Sequence, residues 1–272
     1  MSAAGRPPTD GVLVAGSAVV TGGGSGLGRA IAEALAARGA AVAVVDVLPA
    51  GAKDTVGAII GAGGRAVALE ADVRDWPAID AVFERAAREL GPLGIVVNAA
   101  GILDGYAPIE EMTVALWDTV VGVNLTGTFL CCKRALADLV PRGAGRIVNI
   151  ASVAGLVGAG GGPAYVASKH GVVGLTRVLA VGCAERGVTI NAICPGPIAT
   201  GLRANSARIL GAAAPAVMGG VGADEAAIRR ITPAGRRGTV EEVAAAACYL
   251  ASEGAAYVTG HTLVIDGGWT AR

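Results

Sequence analysis

Short apolar runs rich in β-branched residues alternate along the chain with longer stretches in which apolar residues recur at helical spacing. The short runs predict strands at residues 17–21, 41–46, 65–69, 95–98, 146–150, 188–192 and 262–265. They are apolar throughout rather than alternating with polar residues, as expected where helices cover both faces of a parallel sheet. The pattern therefore predicts an α/β fold, a doubly wound parallel β-sheet flanked by helices on both faces.

Length and composition favour a single domain that acts on small molecules. A chain of 272 residues fits one domain, which we place over residues 1–272, with residues 1–12 as a flexible tail. Lys and Arg (22) balance Asp and Glu (22), and charged residues make up only 16%, so we expect no nucleic-acid partner. Every apolar run is interrupted before the ~18 residues of a membrane span, so we expect no transmembrane helix.

The first residues and the cysteines bear on the compartment. Residues 1–10 lack the basic start, the apolar core and the cleavage site of a secretion signal. The five cysteines are odd in number and show no Cys-x-x-Cys spacing, which argues for reduced thiols and against a metal site. We therefore expect a cytoplasmic protein without a bound metal.

Tyr165 and Lys169 are the first candidates for chemistry. Residues 163–181 open with Pro163 and continue with apolar residues at helical spacing, which predicts a helix. Side chains four residues apart stand on one helix face, and a neighbouring ammonium is expected to lower the phenol pKa from about 10. Tyrosine then becomes a general acid or base. The alternative is a surface tyrosine stacked on a lysine stem.

A glycine-rich turn and an acidic residue indicate a dinucleotide site. Residues 21–28 read Thr-Gly-Gly-Gly-Ser-Gly-Leu-Gly between a predicted strand and an Ala-rich helix, where backbone N–H groups can approach a pyrophosphate. Asp46 ends the second predicted strand, where an acidic residue takes the ribose hydroxyls of NAD and repels a 2′-phosphate. The simpler interpretations are a plain strand-to-helix turn and a turn-forming aspartate.

The spacing Thr21-Gly22-x-x-x-Gly26-x-Gly28, together with Tyr165-x-x-x-Lys169, resembles the short-chain dehydrogenase/reductase family, whose fold is Rossmann-like. The resemblance extends from about residue 17 to residue 269. Ala99 stands where the family has a second asparagine, which puts one hydrogen bond in doubt. The cofactor-binding residues that the resemblance implies are Gly22, Ser25, Gly26, Leu27, Gly28, Asp46, Val47, Asp72, Val73, Asn98, Ala99, Ala100, Gly101, Tyr165, Lys169, Pro195, Gly196, Ile198 and Thr200.

The resemblance also implies the reaction and the catalytic residues. It implies hydride transfer between NAD (NADH) and a secondary alcohol or ketone, with Tyr165 exchanging the proton. Lys169 would lower the pKa of Tyr165 and bind the nicotinamide ribose, and Ser152, 13 residues before Tyr165, would hold the substrate oxygen. Asn124 would distort its helix and hold a water against the lysine.

Two alternatives remain beside this interpretation. One is a 3-oxoacyl thioester (acyl carrier protein) reductase, which similar sequences also are, generally with NADPH; Asp46 argues against NADPH. The other is a non-catalytic NAD-binding sensor or scaffold, because folds host many functions. The intact set of four catalytic residues disfavours it.

The substrate is less readable than the cofactor. Residues 102–109, 153–162 and 201–236 are expected to line its pocket, and the last segment to form a lid, because it is long and follows the nicotinamide-binding run. An ordinary pair of surface helices is the alternative. The uncharged middle of the segment favours an uncharged substrate, although Arg203 and Arg208 leave an acidic one open. Similar proteins imply a homotetramer, with helices near 113–137 and 163–185 pairing between subunits.

Overall fold

The computed structural model describes residues 13–215, 218–219 and 225–271. The predicted tail at residues 1–12 therefore lies outside the described residues, as do residues 216–217 and 220–224 of the predicted lid. The strands are β1 (Ser17–Thr21), β2 (Ala41–Asp46), β3 (Arg65–Glu70), β4 (Leu93–Asn98), β5 (Gly145–Ile150), β6 (Val188–Pro195) and β7 (Thr262–Ile265).

The strands form one parallel sheet in the order β3-β2-β1-β4-β5-β6-β7. The predicted sheet is confirmed, and its strands match the predicted runs within three residues. The largest difference is at β6, which continues to Pro195. The polar Asn191 does not interrupt this strand, because its side chain donates to the Val258 carbonyl at 2.7 Å and accepts from the His261 amide at 3.0 Å.

Helices cover both faces of the sheet. They are α1 (Gly26–Ala36), α2 (Pro49–Gly61), α3 (Trp76–Leu90), α4 (Val114–Val121), α5 (Gly127–Arg142), α6 (Pro163–Cys183), α7 (Leu202–Leu210), α8 (Glu225–Ile231) and α9 (Val240–Leu250). Helices α1, α2 and α9 pack on one face, and α3 to α6 pack on the other. Successive strand residues face opposite helical layers; Ala18 and Val20 belong to one core cluster and Val19 to the other.

Within the part of the chain that the structure describes, one helical stretch is long and apolar enough to cross a membrane by length and composition alone. It runs from Val114 to Arg142 with a mean hydropathy of 1.4, and 39% of its most apolar window is buried. The sequence did not indicate it because polar residues interrupt the apolar positions along this stretch. We interpret it as a helix of the core, since its Val120, Cys131 and Leu139 side chains are fully buried against the sheet.

The order of the strands determines where a ligand can bind. The chain runs from β1 outward to β3 and then returns to β4 beside β1, so connections leave these two strands in opposite directions. In open parallel sheets the crevice at the carboxyl ends of such strands is the usual ligand site. Thr21 and Asn98 end these two strands side by side, and the predicted site residues follow them.

Candidate active site

The glycine-rich turn after β1 packs so tightly that side chains are excluded at two positions. Gly22 has a left-handed φ of +64°, and a Cβ there would lie 2.7 Å from the backbone nitrogen of Ala100. A Cβ on Gly28 would lie 2.1 Å from the carbonyl oxygen of Gly22. The glycines thus bring the start of α1 against the turn, and leave backbone N–H groups at a positive helix end, where an anion binds.

Asp46 acts as a turn residue and still has free acceptor positions. Its Oδ2 accepts from the Gly24 amide and its Oδ1 from the Leu48 amide, both at 2.9 Å. These bonds tie the end of β2 to the glycine turn. A carboxylate offers about four lone-pair sites, so acceptor capacity remains for ribose hydroxyls.

A cavity of about 320 Å³ lies along the carboxyl edge of the sheet. Nearly all the predicted cofactor residues line it. These are Gly22, Ser25, Gly26, Leu27, Gly28, Asp46, Val47, Asp72, Val73, Ala99, Ala100, Gly101, Tyr165, Lys169, Pro195, Gly196, Ile198 and Thr200, and Ser152 joins them. Of the other predicted site residues, Asn98 and Asn124 do not line the cavity and are buried behind it.

Asn98 supports the sheet rather than facing the cavity. Its Nδ2 donates to Asn149 Oδ1 at 2.8 Å and to Cys132 Sγ at 3.3 Å. Asn149 continues the chain of hydrogen bonds by donating to Thr176 on α6 at 2.9 Å. Asn98 Oδ1 has no hydrogen-bond partner among the described residues. The role of Asn98 is to link β4, β5 and α6 beneath the site.

Asn124 lies where the helix is distorted, as expected. Residues Gly122–Thr126 form a π-helical turn between α4 and α5, a feature that is frequent at functional sites. Its Oδ1 accepts from the Ile102 amide at 2.8 Å, and its Nδ2 donates to the Ile102 carbonyl and to Ser168 Oγ, each at 3.0 Å. Both amide protons are therefore used, and Asn124 fixes the loop after β4.

Ser152, Tyr165 and Lys169 meet at the end of β5. Ser152 Oγ accepts from the Ala154 amide at 3.1 Å, so the serine caps a short helical turn and keeps its own proton to donate. Lys169 Nζ donates to the Ile150 carbonyl at 2.9 Å and lies 5.6 Å from the centre of the Tyr165 ring. All three are buried, which rules out the surface-tyrosine interpretation.

The expected direction of the tyrosine shift is wrong. Burial raises the pKa of Tyr165 to about 12, and hydrogen bonding with Ser152 only partly opposes this. Burial also lowers the pKa of Lys169 to about 8. Removing the phenolate or the ammonium from water costs more free energy than its neighbours restore by hydrogen bonding or charge attraction. Desolvation therefore determines the direction of both pKa shifts. Sequence spacing gave the proximity of the two groups but could not give their burial.

Three side chains of the site were missed from the sequence. Asp104, which is fully buried, accepts from the Tyr165 amide at 2.9 Å. Asn205 on α7 lines the cavity and donates to Ser25 Oγ at 2.8 Å. Arg74 pairs with Asp72 at 2.6 Å and lowers the pKa of that carboxyl. Asp104 stands before Gly105 and Tyr106, where it resembles a turn residue, and only the fold brings it to α6.

A second cavity, of about 790 Å³, adjoins the first at Ser152 and Tyr165. Its walls include Leu103, Val153 and Trp269, and its mouth carries charged residues of α1, α7 and α9. Among the described residues, no group of three or more His, Cys, Asp or Glu side chains could hold a metal ion. The five cysteines are unpaired and buried. Ser152, Tyr165, Gly196 and Thr200 line both cavities, so the two cavities adjoin at the tyrosine.

Comparison with known proteins gives consistent matches over most of the chain. The family model described as enoyl-(acyl carrier protein) reductase matches residues 22–270. The chain is 42% identical to cis-4-hydroxycyclohexanecarboxylate dehydrogenase of Sinomonas cyclohexanicum, over 93% of this chain and 96% of that protein. It is 38% identical to a 3-oxoacyl-[acyl-carrier-protein] reductase of Synechocystis sp. (strain ATCC 27184 / PCC 6803 / Kazusa), over 94% and 97%.

A solved structure from Beutenbergia cavernae is similar throughout. It is described as a candidate NAD(P)-dependent gluconate 5-dehydrogenase with NADP bound at low occupancy. Its TM-score is 0.83 at 38% sequence identity, and the match covers 96% of this chain and 99% of that chain.

Proposed function

Because the chain belongs to the short-chain dehydrogenase/reductase family and is an oxidoreductase, we propose that it transfers a hydride between NAD and a secondary alcohol or ketone through Tyr165. One observation carries the proposal. Tyr165 and Ser152 line both the cofactor cavity and the second cavity, as do Gly196 and Thr200 of the run assigned to the nicotinamide, so a substrate in the second cavity can reach the phenol and the nicotinamide together.

The residues of the first cavity fit a dinucleotide. Side chains at Gly22 and Gly28 would fill the turn that a pyrophosphate needs, and Asp46 keeps acceptor capacity for a ribose. The glycine turn would hold the phosphates, and Pro195, Gly196 and Thr200 the nicotinamide end. The cofactor, when bound, supplies the hydride acceptor or donor.

The protein contributes proton transfer and orientation. In ketone reduction Tyr165 Oη gives its proton to the carbonyl oxygen, and its raised pKa keeps that proton in place at neutral pH. In alcohol oxidation the deprotonated form of the same oxygen takes the hydroxyl proton, so this direction is favoured as the pH rises toward the pKa of Tyr165. Ser152 Oγ, which accepts from the Ala154 amide and hydrogen-bonds with Tyr165, would donate its proton to the substrate oxygen. We assign Lys169 to the ribose and to the phenol, and Asn124 to the proton path behind them.

The preference for NAD over NADP rests on Asp46. A carboxylate fixed by two backbone amides at the end of β2 would repel a 2′-phosphate. The similar structure from Beutenbergia cavernae contains NADP, so the two cofactors have to be compared directly. We expect a higher kcat/KM with NAD.

A specific observation favours a second candidate substrate beside an uncharged alcohol. Arg203 lines the second cavity, and its Nε is buried without a hydrogen-bond partner among the described residues. Arg237, at the same mouth, pairs with Glu225 at 2.7 Å. A carboxylate on the substrate would satisfy Arg203. The relative from Sinomonas cyclohexanicum acts, by its name, on such a hydroxy acid.

The test is NADH formation with cyclohexanol, cis-4-hydroxycyclohexanecarboxylate and a 3-hydroxyacyl thioester, each assayed with NAD and NADP. Turnover of an alcohol with NAD supports the proposal, and thioester turnover with NADP alone would support the acyl reductase instead. NAD binding without turnover would indicate a sensor or scaffold. Arg203→Met, compared with the exposed Arg208→Met, should raise the KM of the carboxylate substrate only.

Residues 201–236 are proposed to form a lid over the cavities. Leu202, Asn205 and Ile209 on α7 line the cofactor cavity, which supports a lid role for residues 201–236, although Ser206 and Leu210 are buried. Hydrogen exchange should slow there in a ternary complex with NADH and a substrate analogue; equal rates would contradict the lid.

We propose a homotetramer and a cytoplasmic location. Val178 (65% exposed) and Val181 (83%) on α6, with Val114 (75%) on α4, present apolar surface on the helices expected to pair. Sedimentation of a monomer at micromolar concentration would contradict the tetramer. The five buried, unpaired thiols support a reducing compartment.

A further inference from the structure

We propose that Asp104 is a positioning residue that holds the start of α6, and with it Tyr165, in place against the second cavity of about 790 Å³, the substrate-side cavity. The inference rests on the proposed function, because it concerns the proton transfer by Tyr165. It goes beyond the four catalytic residues predicted from the sequence.

The carboxylate of Asp104 binds three backbone amides. It is fully buried, its Oδ1 accepts from Gly162 at 3.0 Å and from Tyr106 at 3.1 Å, and its Oδ2 accepts from Tyr165 at 2.9 Å. A helix leaves its first amides without intrahelical partners. Gly162, the residue before α6, has no side chain with which to cap them, so a carboxylate from the loop after β4 caps the helix instead.

This cap is placed at the catalytic residue itself. Tyr165 is the third residue of α6, and its own amide is one of the three donors. A Cβ on Gly162 would lie 2.7 Å from both oxygens of Asp104, so the helix start and the carboxylate are in close contact. A shift of Asp104 therefore moves the backbone that carries the phenol. The pairing of Tyr165 with Ser152 depends on that backbone position.

The loop around Asp104 also shapes the substrate-side cavity. Tyr106 lines this cavity, and its φ of +60° makes it the single non-glycine residue with positive φ among the described residues. Such strain persists where surrounding bonds enforce it, and it clusters at functional sites. The bond from the Tyr106 amide to Asp104 is one of those bonds. Nearby, Leu103 donates to Ser206 of α7 at 2.9 Å. One carboxylate thus joins the proton-transfer helix to the cavity wall.

Asp104 also acts on Tyr165 through its charge. Burial is the main cause of the raised pKa of Tyr165, and hydrogen bonding with Ser152 opposes it. The negative charge of Asp104 raises this pKa further, as do the neighbouring Tyr106 and Cys194. Lys169 is the cation of the same helix face, 5.6 Å from the ring centre. A neutral residue at position 104 removes one of the contributions that favour the protonated phenol. Alcohol oxidation needs the deprotonated phenol, so its pH dependence reports this charge.

The experiment compares wild type, Asp104→Asn and Thr113→Ala with NAD and the best alcohol of the panel, from pH 6 up to about pH 11. Because the pKa of Tyr165 is about 12, log kcat still rises in this range, and the midpoint is obtained by fitting the rise toward its plateau. Asparagine keeps one acceptor oxygen and removes the charge. Thr113 caps α4 by accepting from the Leu116 amide at 3.1 Å, so its variant loses a helix cap away from both cavities. We expect Asp104→Asn to lower kcat at least tenfold, to leave NADH affinity unchanged, and to move the midpoint of the kcat profile to lower pH. Thr113→Ala should keep the wild-type midpoint.

Three outcomes would overturn the inference. They are an unchanged midpoint in Asp104→Asn, the same midpoint shift in Thr113→Ala, or loss of NADH binding together with activity, which would assign Asp104 to folding alone. Failure of the proposed function looks different, because the wild-type protein would then show no turnover with any alcohol.

Discussion

The two cavities that meet at Tyr165 are built in different ways. The cofactor cavity is made largely of backbone at strand ends, where Gly22, Gly28 and Asp46 fix the geometry through close contacts and amide hydrogen bonds. The substrate-side cavity is lined by side chains from several elements, with Tyr106 and Trp269 outside the long helices and charged side chains from α1, α7 and α9. Backbone geometry tolerates few substitutions, whereas side chains on loops can vary without disturbing the sheet. The comparison predicts large, general effects on the first side and selective effects on the second.

The largest effect is expected where the two cavities meet. Tyr165→Phe removes only the proton-transfer group, so kcat should fall about 10²- to 10⁴-fold while NADH affinity is kept. Steady-state kinetics and a fluorescence titration with NADH measure the two quantities. A kcat within tenfold of the wild-type value would contradict the assignment of Tyr165 as the proton-transfer group.

The backbone construction of the cofactor side is tested at Gly28. In Gly28→Ala the new Cβ would meet the Gly22 carbonyl at 2.1 Å, so the turn or α1 must move. We expect a loss of about 1–3 kcal/mol in the free energy of unfolding and a Kd for NADH at least about tenfold higher. The matched control is Gly57→Ala on α2, where nothing lies within 4 Å. That variant should be stabilised by roughly 0.5–1 kcal/mol and bind NADH normally; similar losses in both would refute the argument from contact.

The buried lysine at the junction should make stability depend on pH. Burial lowers the pKa of Lys169 from 10.5 to about 8 in the folded state, so between these values the unfolded chain binds more protons. The free energy of unfolding therefore rises with pH across this window, and the cost of the buried ammonium is fully present below pH 8. The total is about 3 kcal/mol, since a shift of one pKa unit corresponds to about 1.4 kcal/mol. Lys169→Met should remove this rise.

Urea unfolding at pH 7 and pH 10 measures the lysine effect. The difference between wild type and Lys169→Met should shrink toward pH 10, whereas Lys53→Met, on the exposed surface of α2, should follow wild type at both values. A constant difference between wild type and Lys169→Met would contradict the prediction.

The smallest of these effects concerns the choice of nucleotide. Asp46→Asn removes the charge and keeps one acceptor oxygen, which can serve either the Gly24 amide or the Leu48 amide. The ratio of kcat/KM for NAD to that for NADP should fall roughly tenfold, because charged hydrogen bonds to the ribose are lost and a 2′-phosphate is no longer repelled. Asp54→Asn, exposed on α2, should leave the ratio unchanged. Equal kcat/KM values of the wild type for NAD and NADP would refute the role of Asp46.

The sequence was sufficient for the parts of the site that lie close together along the chain. The glycine turn, Asp46 and the pair of Tyr165 and Lys169 follow from local spacing, because a strand, a tight turn and a helix fix where neighbouring residues stand. The structure brings these residues to one cavity. For Asn98, a place at a strand end does not reveal which way the side chain packs, and the structure directs it toward Asn149 rather than into the cleft.

By itself the sequence determined the doubly wound sheet, the family and the cofactor edge, because hydrophobic period and glycine spacing act over short range. Only the tertiary structure decided the burial of Tyr165, which reverses the expected direction of its pKa shift. Only the tertiary structure also decided the contact between Asp104 and the start of α6, where Gly162 lies 58 residues further along the chain. Desolvation and long-range hydrogen bonds depend on what packs around a group. No pattern within one helix or strand contains that information.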